Sequence, residues 1–408
     1  MTSHAYGVSP LFLSGVPPDT FSDCLLGTML VELTETQQLL QQTMRRLARD
    51  EIAPRAADMD RTAQYDAALL RLLFEAGFMR LRIPEVYGGL GGDAVTMCVV
   101  LEAAAHADLA TADILSTASV HVQPLIRYGT PEQQAAFFGR MIGEQILTSF
   151  ALTEPEAGSD PASMRTRAVA TATGYRLSGH KCFITNAAVA ELFLIFASTQ
   201  PERRGRGISA FLSQKHLPGL RIGRIEEKMG ARASRLAEVL LDDHELPAEA
   251  LLGTEGTGLR IALDTLNTAR LSVGAQAVGL AQGAFDYALA YVKQRRQFQQ
   301  RVADFQGIQF LLADLATHIE ASRALTYKAA ACLDQQQPQA VQYAAMAKYF
   351  GSDMAMHVTT EAVQLLGGHG YTRAHPVERM MRDAKQLQIL DGTNHIQRLV
   401  IARALVQA

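Results

Sequence analysis

Residues 164–185 read M-R-T-R-A-V-A-T-A-T-G-Y-R-L-S-G-H-K-C-F-I-T, and the fold turns on this stretch. Short runs rich in β-branched and aromatic residues flank Gly174, which sits where a hairpin would turn. The same texture recurs at 192–198, 208–213 and 237–242, with Gly, Asn, Pro or charged residues between the runs. It predicts a compact β domain of roughly 100 residues, the size of an ordinary domain.

Helical spacing surrounds that β stretch on both sides. Upstream, Thr34 and Gln37 form a capping-box pattern, and Leu40, Met44 and Leu47 recur at helical spacing until Pro54. Residues 67–76 and 96–107 repeat the amphipathic pattern, with Gly88, Gly89, Gly91 and Gly92 marking a loop between them. Pro131 after Thr130 opens another helix towards Met141. Downstream, Phe285, Leu289 and Val292 share one face, 309–333 and 339–366 are long periodic segments, and Gly367, Gly368 and Gly370 break the chain. A last helix starts near Thr393, with Ile396, Leu399, Val400 and Ala404 on its apolar face. The expected class is α+β and multi-domain. A flexible extension occupies 1–30, an N-terminal helical bundle 31–149, a β-barrel or sandwich 150–253, and a C-terminal four-helix bundle 254–408.

Composition narrows the function classes. The 38 Lys and Arg against 41 Asp and Glu leave a net charge of −3, without the basic excess of a nucleic-acid binder. Cys24, Cys98, Cys182 and Cys332 are scattered and form no C-x-x-C, which speaks against a disulfide framework or a thiolate metal site and fits the cytoplasm. No Lys or Arg precedes Arg45, so no secretory signal is expected, and no apolar run is long enough to span a membrane. The histidines show no metal-ligand spacing, and no G-x-S-x-G elbow occurs. Gly205-Arg206-Gly207-Ile208-Ser209-Ala210 matches G-x-G-x-x-A, but it leads into a strand rather than a helix, the wrong setting for a dinucleotide loop.

Three segments carry chemistry-bearing residues near the domain junctions. They are Phe150 to Asp160 (F-A-L-T-E-P-E-A-G-S-D), Cys182 to Asn186 (C-F-I-T-N), and Met381 to Lys385 with Asp391 to Arg398 (M-R-D-A-K and D-G-T-N-H-I-Q-R). Taken singly, the first is also an ordinary surface turn. The second is also a strand ending in Asn, and the third an Asp-Gly turn with Thr393 capping a helix. Taken together, with R-R-Q-F at 295–298, F-Q at 305–306 and Q-L-L-G-G-H-G-Y at 364–371, they resemble the acyl-CoA dehydrogenase family over about 34–405. That family consists of flavoproteins that desaturate acyl thioesters.

The resemblance implies FAD as cofactor and no metal. Phe150, Leu152, Thr153, Phe183, Ile184 and Thr185 would line the flavin, with Thr393 and His395 near it. Phe183 stands where the family often has Trp, and this chain has no Trp. Arg295, Gln297, Phe298, Gln306, Gln364, Leu365, Gly367 and Gly368 would hold the flavin of a neighbouring subunit, so a homodimer or homotetramer is implied. Ser159, Asn267, Arg270 and Gly392 would face the substrate, an acyl-CoA or acyl-carrier-protein thioester. Electrons would leave to an acceptor such as an electron-transfer flavoprotein.

The base is the departure from the family pattern. Most members carry Glu where this chain has Asp391, and the seat used by a second branch is Ala269 here, so Asp391 is the one carboxylate at either position. Related flavoenzymes acting on nitroalkanes use Asp. A weak α C–H acid needs a base in a dry pocket and preorganised donors for the developing enolate. Flavin-dependent α,β-dehydrogenation is the expectation. The alternatives are a flavin oxidase or oxygenase of related fold, and a catalytically weak flavoprotein scaffold.

Overall fold

The computed structural model describes residues 32–406, and the extension expected at 1–30 lies outside them. Helix α1 (Glu35–Leu47) begins as the capping box predicts: Gln37 N donates to Thr34 Oγ1 at 3.2 Å, and Thr34 N to Gln37 Oε1 at 3.0 Å. Pro54 does not end the helical run as expected. A π-turn over Ala48–Ile52, closed by Ala53 N donating to Ala48 O, leads into α2 (Ala53–Thr62), where Pro54 occupies the first turn. Next come α3 (Ala67–Glu75), α4 (Ala94–Ala105), α5 (Leu109–Val120), α6 (Gln123–Tyr128) and α7 (Pro131–Gly143). Every residue of α4 is buried, which explains its lack of a polar face.

The β domain is one eight-stranded sheet. Its strands are β1 (Thr148–Ala151), β2 (Arg167–Ala170), β3 (Gly174–Thr185), β4 (Leu192–Ser198), β5 (Ile208–Gln214), β6 (Leu220–Ile225), β7 (Leu236–Pro247) and β8 (Leu251–Leu252). The order is β6-β7-β3-β2-β4-β5-β8, with β1 pairing β4 in parallel. Strand β4 is buried along its length because the sheet is covered on both sides. Phe193 and Ile195 join one apolar cluster, while Leu194 and Phe196 join another that includes Ile261 and Ala262 of the next helix.

That helix, α8 (Gly258–Gln294), leads the C-terminal bundle with α9 (Gln306–Asp334), α10 (Ala340–Leu366), α11 (Val377–Leu387) and α12 (Asn394–Val406). A two-stranded hairpin, β9 (Arg296–Gln297) and β10 (Gln300–Arg301), joins α8 to α9. Helices α4 and α8 cross so closely that a Cβ on Gly279 would lie 2.1 Å from the Glu102 carbonyl oxygen, and one on Gly283 equally close to that of His106. This crossing lets residues from both helical regions, such as Met44, Val99, Leu280 and Leu387, share a single core. The β domain keeps one apolar cluster of its own and shares the other with the start of α8. The chemistry-bearing segments lie where these two bodies meet.

Candidate active site

The turn carrying Asp391 is shaped by two consecutive left-handed residues, Asp391 at φ +55° and Gly392 at φ +90°. Asp tolerates that region better than most side chains, and Gly carries no penalty there. The turn is pinned from the following helix. Gln397 Nε2 donates to the carbonyl oxygens of Gly392 at 2.7 Å and Asp391 at 3.3 Å. Asn394, 5% exposed, donates to Ser352 Oγ at 2.9 Å and Asp353 Oδ1 at 2.7 Å.

Two cations act on the Asp391 carboxyl. Burial raises its pKa above the ordinary carboxylate value, and the charges of Lys348 and Arg270 oppose that rise. Arg270 is 5% exposed, its Nη1 donates to Asn267 Oδ1 at 2.9 Å, and its buried Nε has no partner. Lys348 is fully buried and donates to Asn394 Oδ1 at 2.7 Å. Burial brings its pKa down to about 8, with Asp391 and Asp353 acting the other way. Sequence reading found Asp391, Gly392, Asn267 and Arg270 but missed Lys348. The available signal was a lysine set among Ala344, Ala345 and Ala347 on a helix, an apolar setting for a charge.

The second cluster lies in the β domain. Phe150 packs between Phe196, 4.8 Å between centroids, and the His121 ring at 5.8 Å. Leu152 and Thr153 form the loop after β1, and both of their carbonyls are held from β3. Lys181 Nζ donates to Leu152 O, and Cys182 N to Thr153 O, each at 3.0 Å. The pairing of β3 with β7 slips between Lys181 and Ile184, and Phe183 sits in that bulge at φ +55°. Its ring is 58% exposed although Ile184 beside it is buried. A strained, solvent-facing aromatic beside a buried strand fits a flat ring that stacks on it. Ser159 lies exposed on the adjoining loop.

The third group stands apart from both. Arg295 caps the end of α8, and along a helix rising about 1.5 Å per residue it lies roughly 38 Å from Arg270. Beyond it the hairpin turns through Phe298 at φ +50° and Gln299 at φ +67°, leaving the Phe298 ring 88% exposed. Gln297, Gln306 and Gln364 are exposed, Leu365 is buried beneath them, and Gly367 and Gly368 have open space where a Cβ would stand. His395 is exposed and Thr393 partly so, at the start of α12. A guanidinium, amides and bare glycine backbone suit a phosphate diester, so the residues present fit FAD. Among the described residues no His, Cys, Asp and Glu group could hold a metal ion, and no helix is long and apolar enough to cross a membrane.

Comparison with known proteins finds three family matches along the chain. Family profiles described as acyl-CoA dehydrogenase N-terminal, middle and C-terminal domains match residues 34–145, 149–244 and 256–406. A probable acyl-CoA dehydrogenase of Mycobacterium leprae is 44% identical over 93% of this chain and 97% of its own. Butyryl-CoA dehydrogenase from Megasphaera elsdenii superposes with a TM-score of 0.90 at 39% identity, covering 93% of this chain and 100% of that one. A chain from the structure of the electron transferring flavoprotein of Acidaminococcus fermentans superposes at 0.91 with 41% identity, covering 93% and 100%. The chain belongs to the acyl-CoA dehydrogenase family, FAD-dependent oxidoreductases acting on CH–CH bonds.

Proposed function

We propose that the chain desaturates an acyl thioester, carried by coenzyme A or an acyl-carrier protein, with Asp391 as the base. The observation that carries this reading is the half-buried Asp391 turn, pinned by Gln397 and Asn394, with the buried Arg270 and Lys348 cations acting on its carboxyl. Burial makes the carboxyl more basic than an ordinary aspartate, as a proton acceptor from carbon must be, while the two cations limit that rise. Asp391 takes the α-proton, the β-hydride leaves with its electron pair, and a C=C bond forms between the two carbons. FAD supplies the acceptor for that hydride. Arg270, Asn267, Ser159 and Gly392 orient the thioester, and developing charge on its carbonyl meets the Arg270 guanidinium.

On this reading Phe150, Leu152, Thr153, Phe183, Ile184 and Thr185 hold the flavin ring from within the chain, with Thr393 and His395 at its edge. Arg295, Gln297, Phe298, Gln306, Gln364, Leu365, Gly367 and Gly368 serve the flavin of a second copy. The separation of Arg295 from Arg270 supports a homodimer or homotetramer. The domains divide at 149/150 and 253/254. Electrons pass to an electron-transfer flavoprotein, and the buried, unpaired Cys98, Cys182 and Cys332 suit the cytoplasm.

The test is Asp391→Asn. The variant keeps its yellow flavin and loses bleaching by acyl thioesters, and normal bleaching would refute the assignment. Rapid reoxidation of the wild-type reduced flavin by dioxygen would mark an oxidase instead.

A further inference from the structure

Helix α5 carries Asp113, Ser116 and Thr117 at i, i+3 and i+4, one face of a helix. Each is tied to a different chemistry-bearing segment. Thr117 Oγ1 accepts from Asn186 Nδ2 at 2.9 Å, at the end of the strand that displays Phe183. The Ser116 hydroxyl lies 2.9 Å from that of Ser272, two residues past Arg270. Asp113 Oδ2 accepts from Gln386 Nε2 at 2.7 Å, on the helix that leads into the Asp391 turn. Three ties fix the rotation of α5 and join this face to the segments that carry Phe183, Arg270 and Asp391.

Asp113 is the charged member of that face and is 6% exposed. Burial pushes its carboxyl up to about 6, opposed by the Lys228 charge and by hydrogen bonds from Gln386 and Ser234, while the Asp391 charge adds to the rise. The two carboxylates therefore sense each other across the site. Lys228 does not pair with Asp113 directly. Its Nζ donates to Gln386 Oε1 at 2.9 Å, so the glutamine spends both ends of its amide relaying the contact. A carboxylate has about four acceptor positions, and the Gln386 amide and the Ser234 hydroxyl leave room for a further donor.

We propose that Asp113 recognises the acyl group, and that the physiological thioester carries a hydrogen-bond donor, a hydroxyl or a protonated amine, beyond its β-carbon. This rests on the acyl-thioester reading above. The α-carbon must face Asp391 and the β-carbon the flavin, so a group meeting a second carboxylate belongs further along the chain. A plain alkyl chain packed against Asp113 would leave its oxygen desolvated without a partner, and an ω-carboxylated chain would meet two like charges.

The test compares five- and six-carbon acyl-CoA thioesters bearing a terminal hydroxyl or amine with the unsubstituted thioesters of equal length. The wild-type holoenzyme should favour at least one substituted thioester by about tenfold or more in kcat/KM, the size expected of a hydrogen bond to a charged group. In Asp113→Leu the preference should collapse to within about threefold. The isosteric Asp113→Asn separates the two donors: it keeps part of a preference for hydroxyl and none for ammonium. Flavin content and Tm of the Asn variant establish that the fold is intact. A wild-type preference for the unsubstituted chain, or a preference that survives both substitutions, overturns the proposal. Should no thioester bleach the flavin, the desaturase reading fails by itself. Calorimetric Kd ratios for the same thioester pairs on the same holoenzymes then still decide the role of Asp113.

Discussion

Lys348 Nζ lies 2.7 Å from Asn394 Oδ1, and through that bond a buried ammonium reaches the helix start three residues beyond Asp391. The amine has no carboxylate within ion-pair distance among the described residues, yet it feels both Asp391 and Asp353. It therefore acts on the base through the field and on the base's backbone through Asn394. Lys348→Met removes a cation that holds the Asp391 carboxyl down. The acid limb of the kcat/KM profile should move to higher pH, and the rate at any pH on that limb should fall accordingly, about tenfold if the limb moves by one whole pH. Stability should move the other way. A lysine depressed to about 8 by burial is a penalty fully present below pH 8 and relieved as pH rises towards the unfolded value near 10. The Met variant should thus match or exceed the wild-type Tm at pH 7. Lys348→Arg, which restores the charge, should recover the pH profile. A profile unchanged in the Met variant would exclude this role.

Asp391→Glu probes reach. The longer side chain adds about 1.5 Å, and misplacement of about 1 Å can cost ~10²-fold in rate. Glu is also less at home than Asp at φ +55°. If the short side chain is matched to its substrate, Asp391→Glu should lower kcat by about tenfold to a hundredfold with little change in thioester Kd. A faster Glu variant would show that the wild-type base falls short of the α-carbon.

The α–β–α order was legible because hydrophobic period changes sharply near 148 and again near 258. Strand β6 escaped notice because it is an edge, with Arg221 and Arg224 exposed and no alternation to read. The apolar stripe of α12 was found, and Leu399 on it is 50% exposed. Asp391 and Arg270 were recognisable from local motifs. Lys348 and Asp113 were not, because a charge inside an apolar helix is visible in a sequence only as one residue type, and most such charges face water. Their meaning comes from tertiary contacts between segments distant in sequence, 46 residues apart for Lys348 with Asn394 and 273 for Asp113 with Gln386.

The loop after β1 depends on a buried ion pair. Lys181, with no exposed surface, donates to Glu154 Oε1 at 2.7 Å and Leu152 O at 3.0 Å. Burial pushes the Glu154 carboxyl up, but the Lys181 charge, their hydrogen bond and donors from Arg165 and Thr166 outweigh it and hold the pKa below the usual glutamate value. Its stabilisation is present above the unfolded pKa and is lost as pH falls through the lower, folded one. Lys181→Met leaves that carboxylate buried without its cation, which typically costs about 3–5 kcal/mol. Urea unfolding should show the loss, and the flavin should dissociate at lower urea than the β domain unfolds, because the Leu152 carbonyl loses its anchor. Joint replacement with Glu154→Gln should recover much of the stability. A double variant no more stable than Lys181→Met would contradict the pairing.

Arg295 can be assigned to one subunit or the other by mixing two inactive variants. Arg295→Ala should lose flavin on dilution, with a Kd raised about tenfold or more by removal of a charge-assisted phosphate contact. Asp391→Asn should keep flavin but not turn over. If Arg295 serves the flavin of its partner, a mixed dimer contains one site with an intact Asp391 whose flavin is gripped by the intact Arg295 of the other chain. Purified mixed dimers should then bleach with thioester at one site in two, although neither parent does. If Arg295 served its own chain, every site in the mixed dimer would carry one of the two defects, and no activity would return. The roughly 38 Å of α8 between Arg270 and the hairpin favours the first outcome, because a side chain at that distance cannot reach a flavin whose ring lies against Asp391 of the same chain without spanning the helix bundle.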